Sequence, residues 1–208
     1  MLRKIKSIGK GETKHYPEIE PEDLNKLYDS FDISTPTGLF EKVWFDIMFH
    51  LVRRGRENLR TMTKTSFAVD NDPSGKRYIH QIQFELDKNH NINDDAFDTI
   101  GEGRIYETKT SSCPVASFIK YNEHLSPDIT ALWQKPKRKI TSNVWYCSVP
   151  VGEKILGGMM STLSSKYGLS QRYTNHSIRV TSLQVLEDGN IEGRHIIRVS
   201  GDTKAWIP

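Results

Sequence analysis

The sequence predicts an α+β fold, mostly α-helical, with a small antiparallel sheet on one edge. Three observations predict it. Helical periodicity occupies both ends of the chain, strand-like alternation is confined to the middle, and the order helices, sheet, helices segregates the two kinds of element. The chain has 208 residues, which suits one domain and can bury a real core without cross-links. Hydrophobic residues make up 36% and charged ones 26%, a soluble globular composition that excludes a disordered chain.

Residues 1–20 lack sustained periodicity and carry Gly9, Gly11 and Pro17; they read as an arm or linker, with the domain proper over 21–208. Pro21-Glu22-Asp23 opens a short amphipathic helix with Leu24, Leu27, Tyr28 and Phe31 on one face. Asp32–Pro36 is a turn-rich break, and Thr37 is the expected N-cap of a long helix. Leu39, Val43, Phe45, Ile47, Phe49, Leu51 and Val52 give that helix a broad apolar surface, so it belongs at the centre of a bundle. A shorter helical segment follows to about Met62.

Ser66–Val69 and Arg77–Leu86 favour strands, joined by the turn chemistry of Asn71-Asp72-Pro73-Ser74-Gly75. Tyr78, His80, Ile82, Phe84 and Leu86 mark one face, although Ile79 blurs the alternation. Asn89–Gly103 reads as a loop and Arg104–Glu107 as a third short strand. Pro114–Leu125 returns to helix, Gln134–Asn143 is a loop, and Gly152–Ser165, Asn175–Glu187 and Ile191–Ser200 are further helices.

Charge and cysteine content narrow the classes. Lys and Arg total 29 against 26 Asp and Glu, a net charge of +3 with a pI near 8.7. That is mildly basic and does not by itself identify a nucleic-acid partner. Cys113 and Cys147 are too few for a disulfide framework or a four-cysteine zinc site, and a reducing compartment is the easier expectation. The most apolar stretch, Val43–Val52, is interrupted by Asp46 and His50 and is too short for a bilayer; Met1–Lys10 lacks a secretory core. No membrane partner is expected.

Four clusters could carry chemistry. If Asn175 starts a helix, His176 and Arg179 share a face at i and i+3, an electropositive pair suited to a phosphate oxygen. The same spacing also fits a solvated helix start. Arg53, Arg54 and Arg56 end the most apolar helix, where they are either a helix C-terminal charge cluster or a phosphate site, and Glu57 is spaced to pair with Arg54. Lys88, in Asp87-Lys88-Asn89-His90, is either an edge charge or a donor reaching a nucleic-acid groove. Lys135, Lys137, Arg138 and Lys139 are a run without an acid, either a phosphate-contact loop or a solvated one. Trp44, Trp133 and Trp145 read as core or loop anchors, and the two cysteines as free buried thiols.

Taken jointly, in chain order, these phrases resemble the catalytic domain of the tyrosine recombinases, and within it the eukaryotic Crypton branch. The phrases are Gly38–Ile47, Arg53-Arg54-Gly55-Arg56-Glu57-Asn58-Leu59-Arg60, Leu86–His90, Cys113-Pro114-Val115, Thr174–Arg179 and Arg194–Gly201. The resemblance runs from about Glu22 to the end of the chain. It implies a helical bundle with a small antiparallel sheet on one edge, double-stranded DNA as partner, homo-oligomers on DNA, and a nuclear location. Arg54 resembles the first catalytic arginine, Lys88 the hairpin lysine that protonates the leaving 5′ oxygen, and His176 and Arg179 the late box. Arg53, Arg56 and the Lys135–Lys139 run become DNA contacts. Fixed cations stabilise the charge that builds on the phosphate oxygens, so no metal or other cofactor is expected.

Two departures weigh on activity. Asp202 stands where the family carries His or Trp after the glycine that Gly201 resembles, and a carboxylate there repels developing negative charge. The nucleophilic tyrosine, expected a short way beyond that glycine, has no counterpart among the eight tyrosines, and the chain as given is expected not to cleave. Two other classes stay open. One is a domesticated, non-catalytic nuclear module for DNA or protein interaction. The other is a metal-dependent nuclease built around Asp87, His90 and Asp94/Asp95.

Overall fold

Proline starts the first two helices. Pro21 opens α1 (Pro21–Ser30) and Pro36 opens α2 (Pro36–His50), each in the first turn where a missing N–H breaks no helical bond. The computed structural model describes residues 16–55, 58–82 and 103–190. The N-cap of α2 is Thr35 rather than Thr37: its Oγ1 accepts the Gly38 N–H at 3.1 Å. Pro36 takes the first helical position because its fixed φ suits it, which moves the cap two residues back. Gly38 has no room for a side chain, since a Cβ there would lie 2.2 Å from the Asp32 carbonyl oxygen.

α2 is the core. Leu39, Phe40, Val43, Trp44, Phe45, Ile47 and Met48 are all buried, on every side of the helix. A helix apolar all round has to be enclosed, and α1, α3 (Pro114–Glu123) and α6 (Asn175–Asp188) help enclose it with the residues between them. Glu41, Lys42 and Asp46 are buried with the apolar residues. Lys42 Nζ lies 2.5 Å from Asp46 Oδ2, one turn away, and the Tyr28 hydroxyl of α1 donates to Asp46 Oδ1 at 3.2 Å. Glu41 accepts from Lys166 Nζ at 2.7 Å and from the Tyr167 hydroxyl at 2.6 Å. Burial pushes the Asp46 carboxyl up to about 6, against the pull of Lys42 and Tyr28.

After α2 the chain makes a short 3₁₀ turn, Leu59–Thr61, in place of a continued helix. The three-stranded sheet follows: β1 (Phe67–Asn71), β2 (Arg77–Gln81) and β3 (Arg104–Tyr106), antiparallel in that order. The hairpin turn holds Gly75 at φ +82°, and Asp72 Oδ1 accepts the Ser74 and Lys76 N–H groups. The face expected to mark the strand is the outer one. Val69, Ile79 and Ile105 are in register across the sheet, and Ile79 is 1% exposed while Ile82 is 48% exposed. Tyr78 instead packs against His80, Tyr106 and the Arg104 guanidinium on the other face, so size misled where burial decided. The strand residues expected beyond Ile82 and the Asn89–Gly103 loop up to residue 102 lie outside the described residues, as does the helix expected over Ile191–Ser200.

Two expectations in the C-terminal half change. Gln134–Asn143 is not all loop: β4 (Gln134–Pro136) pairs antiparallel with β5 (Tyr146–Pro150) in a second sheet. The helix expected over Gly152–Ser165 is broken at Gly158 into α4 (Glu153–Gly157) and α5 (Met159–Lys166). Cys113 is a buried free thiol, whereas Cys147 is only half-buried. Residues 16–20 are not a free arm. Ile19 is buried, and its N–H donates to Thr181 Oγ1 of α6 at 2.8 Å. The architecture is thus α+β, with six α-helices and two small antiparallel sheets among the described residues.

The Lys42–Asp46 pair makes two measurable demands. Replacing either partner alone, Lys42→Met or Asp46→Leu, leaves a buried charge unpaired and is expected to lower the free energy of unfolding by about 3–5 kcal/mol, with the double variant recovering most of the loss in urea titrations. The Asp46 carboxyl binds its proton more tightly in the folded chain than its unfolded value of about 3.9. Its contribution is therefore full below that value and is lost as the pH rises through about 6. The wild-type urea midpoint is expected to fall across that window more steeply than that of Asp46→Asn.

Candidate functional site

The chain leaves α2 by a reversal. The Arg53 N–H still bonds the Met48 carbonyl at 3.0 Å, but Val52 has φ +49°, a left-handed conformation unfavourable for a β-branched residue. It persists because its surroundings hold it: the Val52 side chain is buried, and its carbonyl accepts from Arg179 Nη1. The reversal brings the chain back so that Gly55 lies against the start of α6.

Asn175 fastens that junction. It is buried in the first turn of α6, and its amide makes three bonds to main chain. Nδ2 donates to the Gly55 carbonyl at 2.6 Å and to the Leu156 carbonyl at 2.9 Å; Oδ1 accepts the Met160 N–H at 3.1 Å. One side chain thus joins the segment after α2, the end of α4 and the start of α5 to the start of α6. Gly55 permits the approach. A Cβ on it would lie 3.3 Å from the Asn175 Cβ and 3.3 Å from two atoms of the His176 ring.

His176 follows Asn175 and is exposed, with its ring stacked on Tyr16 at 4.7 Å and 19°. Arg179, half-buried, reaches back to the Val52 carbonyl. Arg54 is half-buried between Arg53 and Gly55, and Arg53 Nη1 donates to Gln81 Oε1 at the end of β2 at 2.8 Å. The backbone of the segment that carries Arg54 therefore meets the helix turn that carries His176 and Arg179. Arg56, Glu57, Lys88 and Asp202 lie outside the described residues, as do Asp87, His90, Asp94 and Asp95. Among the described residues no group of three or more His, Cys, Asp or Glu could hold a metal ion, and no helix is long and apolar enough to cross a membrane.

The structure does not bring the second basic run to this junction. Lys137 sits in the β4–β5 hairpin, its Nζ on the Val144 carbonyl and its N–H on the Trp145 carbonyl. The Trp145 N–H in turn bonds the His124 carbonyl; Lys120, one turn earlier, donates to the Ile33 carbonyl just before α2. The Tyr146 hydroxyl bonds the Pro36 carbonyl. The hairpin thus stands at the N-terminal end of α2 and Arg54 follows the C-terminal end. The 15 residues of α2 span roughly 22 Å at about 1.5 Å each. Lys135, Arg138 and Lys139 are exposed there.

Behind the junction a polar network ties α1 to the approach to α6. Asp23 accepts the Ser170 N–H at 3.0 Å, the Ser170 hydroxyl at 2.5 Å and the Tyr173 hydroxyl at 2.8 Å. Burial disfavours its charge, but the Ser170 and Tyr173 bonds outweigh it and hold the carboxyl below its usual range. Sequence reasoning missed Asn175 as a fastener and Tyr16 as part of the site. An asparagine just inside a helix is a weak signal, because it competes poorly there unless its amide is used. Nothing near Tyr16 in the sequence marks it. No protein-family model matches this chain, and no curated protein matches it closely enough to count as a relative.

Asn175→Leu removes three bonds and strands two carbonyls and an N–H in the interior, an expected loss of about 2–4 kcal/mol in urea unfolding. Asn175→Asp keeps the shape but sets a carboxylate against two carbonyls. Its stability is expected to improve, relative to wild type, as the pH is lowered and that carboxyl protonates.

Proposed function

We propose that this chain is a duplex-DNA-binding domain of the tyrosine-recombinase type, in which Arg54, His176 and Arg179 receive one backbone phosphate. The observation that carries the reading is the seating of the Arg53–Gly55 segment on the first turn of α6, through the 2.6 Å bond from Asn175 to the Gly55 carbonyl. The segment that carries Arg54 thus meets the helix turn that carries His176 and Arg179, and these are the residue types a phosphate needs: guanidinium forks and an imidazole. The bond from Arg179 to the Val52 carbonyl orients the guanidinium, whose planar fork of N–H groups is the geometry that phosphate oxygens accept from. Lys88 would complete the cation set, and the resemblance assigns it the leaving oxygen. The family's bundle topology, nuclear location and self-association on DNA belong to the same proposal.

The chemistry proposed for these residues is phosphate binding. A second reading, a domesticated interaction module, has an observation in its favour. Arg53 and Arg179 both bond to the protein itself, as residues retained for the fold would.

Duplex binding followed by fluorescence anisotropy separates the two. Affinity is expected to fall steeply with salt, because phosphate contacts release counterions. Arg54→Ala is expected to weaken binding about tenfold or more and to reduce the slope of log affinity against log salt by about 1. A salt-insensitive interaction, or none, overturns the DNA reading. Replacing Lys135, Arg138 and Lys139 together with alanine reports separately whether the duplex also reaches the hairpin.

A further inference from the structure

We infer that Tyr16 is a positioning residue for His176, and that the extended segment 16–20 is a strap belonging to the phosphate site; the inference rests on the phosphate reading above. His176 is exposed, and an exposed imidazole ordinarily keeps its rotamer freedom, which binding would then have to remove. Here both Gly55 and Tyr16 lie against the ring. The Gly55 main chain lies so close that a Cβ would come within 3.3 Å of Cδ2 and Cε1. The Tyr16 ring stacks on it at 4.7 Å between centroids and 19° between planes. The stack fixes the ring plane, while the close approach of Gly55 limits its swing.

Tyr16 can do this because the strap is fastened independently of it. Ile19 is buried at 3% exposure, its N–H donates to Thr181 Oγ1 on α6, and the Glu20 N–H donates to the Tyr173 hydroxyl. Both acceptors flank His176 in sequence, one just before α6 and the other within it. The strap is thus registered to the same helix that carries the imidazole, so movement of α6 moves ring and stacking partner together. The stack is made by the face of the phenol ring, which phenylalanine also presents and alanine does not.

The test uses the full chain with Tyr16→Ala and Tyr16→Phe. Two readouts are needed: the proton chemical shifts of the His176 ring, identified by their loss in His176→Ala, and anisotropy with a short labelled duplex. Tyr16→Ala is expected to move the His176 ring protons out of the tyrosine's ring current and to weaken duplex binding roughly three- to tenfold, the effect of freeing one side chain. Tyr16→Phe keeps the aromatic face and is expected to hold the His176 ring shifts close to wild type and to bind the duplex more tightly than Tyr16→Ala. Should Tyr16→Ala lose its cooperative thermal transition, Tyr16→Leu, which keeps apolar bulk without an aromatic face, carries the same two readouts. Unchanged ring shifts in the alanine or leucine variant, or shifted signals with unchanged affinity, overturn the positioning role while His176→Ala still weakens binding. If His176→Ala itself leaves affinity untouched, His176 is no phosphate ligand, and the role assigned to Tyr16 falls with that part of the reading.

Discussion

A helix buried on every side must satisfy its own charges, and α2 carries three of them. Lys42 and Asp46 neutralise one another across one turn, with the Tyr28 hydroxyl of α1 on the second carboxylate oxygen. Glu41 is met by Lys166 and Tyr167 at the end of α5. An apolar cylinder could sit in its socket at several rotations with similar contact area. Turning this one would pull a carboxylate from each partner, and an unpaired buried charge costs several kcal/mol. The polar contacts therefore fix the rotation of the element around which the others pack, while the apolar residues supply most of the driving force.

That rotation sets where the chain emerges. With the end of α2 fixed, the left-handed Val52 turns the following residues back toward α6. Arg179 and Asn175 hold them there by bonds to the Val52 and Gly55 carbonyls. The same end of the molecule gathers Tyr16 and the Asp23–Ser170–Tyr173 network, so the start of α6 is held from the strap, from α1 and from the reversed segment. The exposed His176 and the half-buried Arg54 and Arg179 thus stand on main chain that is tied at several points.

Much of this was legible in the sequence, and what was not has physical reasons. The apolar run of α2, the Pro21 start and the Asn175 start were readable because periodicity and capping residues act locally. That the segment after α2 meets the start of α6 follows from no local rule, since the positions are so far apart in the chain; only the set of phrases resembling a family put them in one place. The β4–β5 sheet was missed because Gln134–Pro136 is short, carries a lysine and a proline, and shows no alternation. The inward face of β2 was misjudged because Tyr78 and His80 are larger than Ile79, whereas cross-strand aromatic and cationic pairs can occupy the solvent side. Tyr16 could not be foreseen, because its role depends on a strap whose anchors lie in α6 and the residues before it.

The Asn175 bonds and the Arg179 bond to Val52 all end on main-chain atoms. Asn175 reaches two carbonyls and an N–H, and Arg179 reaches a carbonyl. Main-chain groups keep their place whatever side chain the residue carries, so these bonds set the path of the backbone and leave the choice of side chains along it to other demands. Arg179 serves two ends at once, because the fork that would meet a phosphate also holds the Val52 carbonyl. Removing it strikes ligand and scaffold together. A loss of anion affinity in Arg179→Ala therefore carries the cost of an unfastened turn within it, and its urea midpoint has to be read beside its affinity.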